Sequence, residues 1–204
     1  MSVRIAILVE GATEQAFIPK LREFLQARLA SGTMPKLDIV PCDGRVPTGE
    51  KLRRIVANLL SGKNAADAVI ALTDVYTGTR EFSNAQDAKE KMRGWVGDEP
   101  RFSPHVALHD FEAWLLPFWS DIQSLAGSAR AIPGAHPEQV NHDKPPAHRL
   151  QEVFRTGSKG KAYVKPRDAA RILRDNDLAV AAESCPELKA FLNTILLRCG
   201  TAAI

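Results

Sequence analysis

Four short apolar runs alternate along the chain with stretches whose apolar residues recur at helical spacing. Residues 3–9 (VRIAILV) form the first run, β-branched and uninterrupted, stopping at Glu10-Gly11. Beyond it Phe17, Ile18, Leu21, Phe24, Leu25 and Leu29 keep the spacing of one helix face, with Thr13 as the expected N-cap. The second run, residues 37–40, leads into Pro41 and an Asp43-Gly44 turn. Leu52, Ile55, Val56, Leu59 and Leu60 then fall at i, i+3, i+4, i+7 and i+8, and Ser61-Gly62 ends that helix. The third run, residues 68–72, closes at Thr73-Asp74, and Ser83 with Gln86 predicts a capping box for a helix through Ala88, Met92 and Trp95. The fourth, residues 105–108, closes at His109-Asp110 and opens a helix through Phe111, Trp114 and Leu115.

Strand and helix in strict alternation predict a parallel sheet with helices on both faces. The runs are nearly continuous, as strands buried on both sides require. After about residue 120 the pattern breaks into short helical pieces punctuated by Pro133, Pro137, Pro145, Pro146, Gly157, Gly160 and Pro166. A stronger helix closes the chain: Ser184 and Glu187 predict its capping box, and Leu188, Phe191, Leu192, Ile195 and Leu196 its apolar face. The expectation is an α/β core over residues 1–120 and a helical, basic extension over residues 121–204 packed on it. Trp114, Leu115, Leu116, Phe118 and Trp119 read as core.

Composition refines this picture in one place. The 204 residues carry a formal charge of only +3, too weak to argue for nucleic-acid binding. Residues 141–174, however, hold nine basic groups against three acidic ones, a segment of +6 on a remainder of −3. Cys42, Cys185 and Cys199 are widely spaced and form no Cys-x-x-Cys pair, which argues against a structural zinc site or a disulfide framework. The first run is too short for a signal peptide, and no stretch approaches the ~18 apolar residues of a membrane span. A reduced, soluble, cytoplasmic protein is the expectation.

Ligands of open parallel sheets bind at the carboxyl ends of the strands. Those ends carry Glu10, Asp43, Asp74, and His109 with Asp110; Glu14 lies one turn beyond Glu10, and Glu112 follows His109 closely. Carboxylates aimed at one edge repel unless protonated or bound to cations, and their hard oxygens suit Mg²⁺ or Mn²⁺. Ordinary structural roles compete: Glu14 on a helix dipole, Asp110 as an N-cap, Asp43 in a turn, His109 in the core. Glu10 and Asp74 are harder to assign that way, because a carboxylate closing a buried strand is costly unless solvated, paired or metal-bound.

Residues 9–15 (VEGATEQ) after a hydrophobic strand resemble the first motif of TOPRIM-type domains, in which Glu-Gly begins an acidic site. The whole chain resembles a TOPRIM-like bacterial family, domain of unknown function 4276, distantly similar to the OLD-type TOPRIM nucleases. Its motifs read here as Glu10-Gly11 with Thr13-Glu14, Asp74, His109-Asp110-Phe111-Glu112-Ala113, Pro146-Ala147-His148-Arg149-Leu150, Tyr163 with Lys165, and Cys185-Pro186. The resemblance implies a TOPRIM-like (Rossmann-like) fold, a divalent-metal site and nuclease activity, in some members beside an ATPase partner in phage defence. One departure stands out: TOPRIM nucleases carry Asp-x-Asp after the third strand, and here the triplet is Asp74-Val75-Tyr76.

The expected function is thus a Mg²⁺- or Mn²⁺-dependent phosphodiesterase acting on nucleic acid. Glu10, Asp74 and Glu112 are the expected metal ligands, Glu14 or Glu112 a general base, and His109 an orienting group. Gly11, His148, Arg149, Lys161 and Lys165 are the expected substrate-binding residues, with Arg149 favoured because a guanidinium matches phosphate bidentately. The missing second Asp favours an alternative from another class, a non-catalytic subunit that binds nucleic acid or a protein. A small-nucleotide phosphohydrolase is a third reading. Gly157-Ser158-Lys159-Gly160-Lys161 lacks P-loop spacing, and no Gly-x-Ser-x-Gly appears, so ATP binding there and serine hydrolase chemistry are excluded.

Overall fold

The computed structural model describes residues 2–29, 33–42, 44–75, 81–134, 136–140 and 144–204, with backbone alone at Ala12 and Gln15. Asp43 and Tyr76, singled out in the sequence, lie outside the described residues. Four strands, β1 (Arg4–Val9), β2 (Lys36–Pro41), β3 (Ala68–Val75) and β4 (Phe102–Leu108), pair in the order β2-β1-β3-β4, all parallel. This is the α/β architecture the alternating pattern predicts. Pro41 and Pro104 fall on the two edge strands, where a missing N–H leaves no inner ladder broken.

Side-chain alternation divides the core into two layers. Ala6, Leu8, Val69, Ala71 and Val106 face α2 (Gly49–Leu59) and α3 (Ala85–Val96). Ile5, Ile7, Val9, Ile70, Leu72 and Ala107 face α1 (Ala12–Arg28) and the carboxyl-terminal helices. Those are α4 (Trp119–Ala126), α5 (Pro146–Thr156), α6 (Lys165–Leu173), α7 (Leu178–Ser184) and α8 (Pro186–Arg198). Among the described residues no helix is long and apolar enough to cross a membrane.

Several local expectations are corrected. β3 runs three residues past Leu72, because β4 keeps pairing with it through Val75 and Leu108. The segment after Asp110 is a 3-10 helix over Phe111–Phe118 before α4 begins. Gly11, and not Thr13, is the N-cap of α1. Asn84, and not Ser83, caps α3, accepting the Asp87 N–H at 2.9 Å. The Trp114–Trp119 segment is buried as core.

The Ser184–Glu187 box gives way to a tertiary contact. Glu138, in a short 3-10 turn (Pro137–Gln139), places its buried carboxylate at the start of α8. It accepts the Glu187 N–H at 3.0 Å, the Leu188 N–H at 3.3 Å and the Trp114 indole N–H at 3.0 Å. A carboxylate at a helix amino terminus is favoured by the open N–H groups and the helix dipole. One side chain thereby ties the last helix to the central 3-10 segment. Lys89 of α3 pairs with Glu187 across the outer edge of β4, covering an edge that would otherwise invite pairing.

His105 of β4 packs edge-on against Phe191, centroids 5.7 Å apart, and its Nε2 meets the Thr194 hydroxyl at 2.9 Å. Burial, reinforced by the Lys89 and Arg93 charges, holds its imidazolium form down to about 3. The unfolded chain binds that proton near pH ~6.5, so this residue's stability contribution is complete above that value and falls as pH drops toward the folded value. Urea unfolding at pH ~7 and pH ~5 should show the wild type losing about 2 kcal/mol more than His105→Gln. Equal losses would remove His105 as the source.

Candidate functional site

The connection from β1 to β2 moves one way across the sheet, and that from β3 to β4 moves the other. A crevice therefore opens at the carboxyl ends of β1 and β3, the topological switch point of the sheet. Glu10 is the first residue past β1. Continuing the Leu8–Ala71 register by two residues sets it opposite Thr73. The Thr73 hydroxyl donates to Glu10 Oε1, and the Asp74 backbone N–H donates to the same oxygen at 3.1 Å. Asp74 lies at the second-last position of β3, and alternation turns it toward the layer of Ile70 and Leu72, on the α1 side.

Glu14, in the first turn of α1, accepts the Gly11 N–H at 3.1 Å and is buried. Gly11 has φ −161°, extended backbone open to any residue, and an added Cβ would meet Glu14 Oε2 at an ordinary 3.7 Å. Its backbone conformation therefore does not require glycine.

A second group arrives from the segment after β4. Asp110 is fully buried, and its Oδ2 accepts the Ala147 N–H of α5 at 3.0 Å. Asp110 is, as the sequence predicts, the N-cap residue of the 3-10 helix that follows it, but its side chain makes no capping hydrogen bond there and is given instead to the start of α5. Its Oδ1 is buried with no hydrogen-bond partner. Glu112, also fully buried, accepts from Lys165 Nζ at 3.2 Å and from the Tyr163 hydroxyl at 3.4 Å. His109 is buried where β4 ends; desolvation lowers its basicity, opposed by a hydrogen bond with the Val75 backbone.

Electrostatics binds the two groups into one site. Burial raises the Asp74 carboxyl well above the usual range, and the charges of Glu10, Glu14, Asp110 and Glu112 add to it. Glu10 is raised by burial against the opposing bonds from Thr73 and Asp74. Asp110 and Glu112 are likewise raised by burial, each relieved in part by Lys165. The Lys165 ammonium is disfavoured by burial, but Glu112, Asp110 and Asp74 outweigh that and hold it protonated. The Tyr163 phenol is pushed upward by burial and the same carboxylates, so it stays a donor to Glu112.

Of the residues expected from sequence, Glu10, Glu14, Asp74, Glu112 and Lys165 share this crevice, with Gly11 and His109 at strand ends beside it. His148 and Lys161 are exposed, the first on α5 and the second between α5 and α6. Arg149 lines a separate groove with Trp119, Arg130 and Lys144. Thr73 and the Ala147 N–H are contributors that sequence reasoning missed. Thr73 has a signal, a hydroxyl one place before the strand-end acid; a backbone donor has none. Among the described residues no three acidic, imidazole or thiol side chains are gathered closely enough to form a ready metal centre.

The fold and crevice define an α/β protein with a buried acidic site at its switch point. The chain belongs to the family described as a domain of unknown function (DUF4276), which it matches over residues 9–196. Its fold is similar to that of the C-terminal region of the Burkholderia pseudomallei OLD protein, with 15% sequence identity and a TM-score of 0.51, covering 98% of this chain and 99% of that one. No curated protein matches the sequence.

Raised carboxyls carry a stability cost. The folded state holds these protons to higher pH than the unfolded chain, so stability falls as pH rises through the unfolded carboxylate range toward the raised folded values. Asp74→Asn removes the most strongly disfavoured charge and should stabilise the protein by about 1–2 kcal/mol at pH ~7, with the gain shrinking on acidification. Urea midpoints across pH measure this. A variant no more stable than the wild type at neutral pH contradicts the assigned repulsion.

Proposed function

We propose that the protein is a divalent-metal-dependent phosphodiesterase acting on nucleic acid. The observation that carries this reading is that Glu10 and Asp74 close the neighbouring strands β1 and β3 at the switch point, where the Asp74 N–H donates to Glu10 Oε1 at 3.1 Å. The donor chemistry fits a hard cation: every candidate ligand is a carboxylate oxygen, the charges repel, and Asp110 Oδ1 is buried without a partner. The fold shared with the OLD C-terminal region and the TOPRIM-like motifs support the same reading.

Glu10, Asp74 and Glu112 would hold Mg²⁺ or Mn²⁺. Held there, such an ion would supply Lewis-acid chemistry toward a phosphoryl oxygen and toward water. The chain's own groups supply the rest. Thr73 and the Asp74 N–H fix the Glu10 carboxylate, so its orientation is set before substrate arrives. Lys165, partly exposed at the crevice, offers its ammonium to a phosphate oxygen while Glu112 keeps it in place. Glu14 would accept a proton as general base, and His109, whose basicity burial lowers, would orient a water or ligand. We propose further that the chain acts beside an ATPase partner in phage defence, as the family resemblance implies of some members, and in the cytoplasm, the expectation drawn from its cysteines and apolar runs.

A second reading rests on its own observation. The Lys165–Glu112 pair already neutralises one carboxylate, which suits a non-catalytic subunit that binds nucleic acid or a protein partner without a metal. Labelled single- and double-stranded DNA and RNA, incubated with Mn²⁺ or EDTA, separate the two. Metal-dependent cutting should appear in the wild type and fall about 100-fold in Glu10→Ala and in Asp74→Asn. Undiminished cutting by both variants overturns the catalytic assignment. Tight binding without cutting selects the binding subunit.

A further inference from the structure

Away from the acidic crevice, a groove of about 300 Å³ opens between α4, α5 and the segment that follows α4. Three of the residues lining it are cations, Arg130, Lys144 and Arg149, and one is an acid, Glu152. Such an excess is unusual in a chain of formal charge +3, and the three cations are held in place by identifiable contacts. The Arg130 carbonyl accepts the Trp119 indole N–H and the Gln123 amide N–H, each at 2.8 Å, which anchors that residue's backbone to α4. Arg149 donates its Nε to the Lys144 carbonyl at 3.3 Å, fixing the guanidinium plane. Glu152 meets Arg130 at 3.3 Å and Lys144 at 4.0 Å, so one carboxylate spaces two cations without neutralising the set. Trp119 and Pro133 supply apolar wall.

We infer that this groove binds the phosphodiester backbone of a nucleic-acid strand, as an anchoring subsite distinct from the carboxylate crevice. This deepens the proposed function and rests on it for the identity of the polymer. The placement supports one strand serving both places. Ala147, whose N–H reaches Asp110, and Arg149 lie two residues apart in the first turn of α5, on roughly opposite sides of the helix. Both places are thus reached from the first turn of α5, one by the Ala147 N–H and the other by the Arg149 side chain. The groove carries two net positive charges, and its guanidinium and ammonium groups match phosphate oxygens. It contributes affinity and register and leaves sequence unread.

Binding is measured on the full chain in EDTA, where no turnover is needed, with short labelled single-stranded and duplex DNA over a range of salt concentrations. Arg149→Ala should weaken binding about tenfold and Arg130→Ala by a similar factor. Each should also flatten the dependence of log affinity on log salt by about 0.7–0.9, the loss of one phosphate contact. Glu152→Gln changes the groove in the opposite sense and should tighten binding, which keeps the test valid if an arginine variant folds poorly. Lys51→Ala, on exposed α2 against the other sheet face, alters net charge equally and should leave affinity near the wild type.

Unchanged affinity in the arginine and Glu152 variants overturns the subsite, as does an equal loss in Lys51→Ala, which would mark diffuse charge attraction. Preference for the single strand or the duplex identifies which form seats in the groove. The cleavage proposal fails separately: its test reads Glu10 and Asp74 in the presence of metal, whereas this one reads the groove with metal removed.

Discussion

Glu10 and Asp74 are brought together because β1 and β3 are neighbours in a parallel sheet whose connections diverge at that point. Two acids closing adjacent buried strands is an arrangement the sheet cannot avoid once its register is set, and the surroundings answer it. Thr73 and the Asp74 N–H satisfy one oxygen of Glu10. Gly11 gives Glu14 a donor at the start of α1, and Ala147 gives Asp110 one at the start of α5. Lys165 answers Glu112. What these contacts leave uncompensated is concentrated on Asp74, whose charge is opposed by four other carboxylates.

The carboxyl-terminal helices matter to this site more than their irregular sequence suggests. α6 contributes Lys165 from its first position, α5 offers an N–H group to Asp110, and both pack against the buried 3-10 segment that carries Glu112. That segment is in turn tied through Trp114 and Glu138 to the start of α8. Acidic residues on the strand ends and donors from later helices are held in one rigid frame. Carboxylates buried together in this way cost the fold stability through desolvation and mutual repulsion.

Much of the frame was legible in the sequence. The apolar runs at residues 3–9, 37–40, 68–72 and 105–108 place all four strands, and strand-end logic leads directly to Glu10 and Asp74. Contacts between distant residues were not legible. Ser184 and Glu187 have the spacing of a capping box, yet Glu138 takes the N–H groups of that helix, because a buried carboxylate some fifty positions earlier folds onto them. Asp110 likewise holds a local cap position, yet its side chain serves a helix 37 residues away. Arg149 and Lys165 read alike as phosphate binders from residue type; only the packing of α5 and α6 sends one to a separate groove and the other to Glu112. Local spacing records what a residue can do nearby, and tertiary packing decides whether a stronger partner arrives first.

Titration calorimetry with Mn²⁺ at neutral pH, repeated in buffers of different ionisation enthalpy, tests the central claim that these carboxylates form a cation site held in repulsion. Binding should release protons, because an arriving cation displaces those that burial and mutual charge retain on the cluster, and Asp74→Asn should abolish both the binding and the release. Absence of Mn²⁺ binding by the wild type, or binding that Asp74→Asn leaves intact, would contradict it.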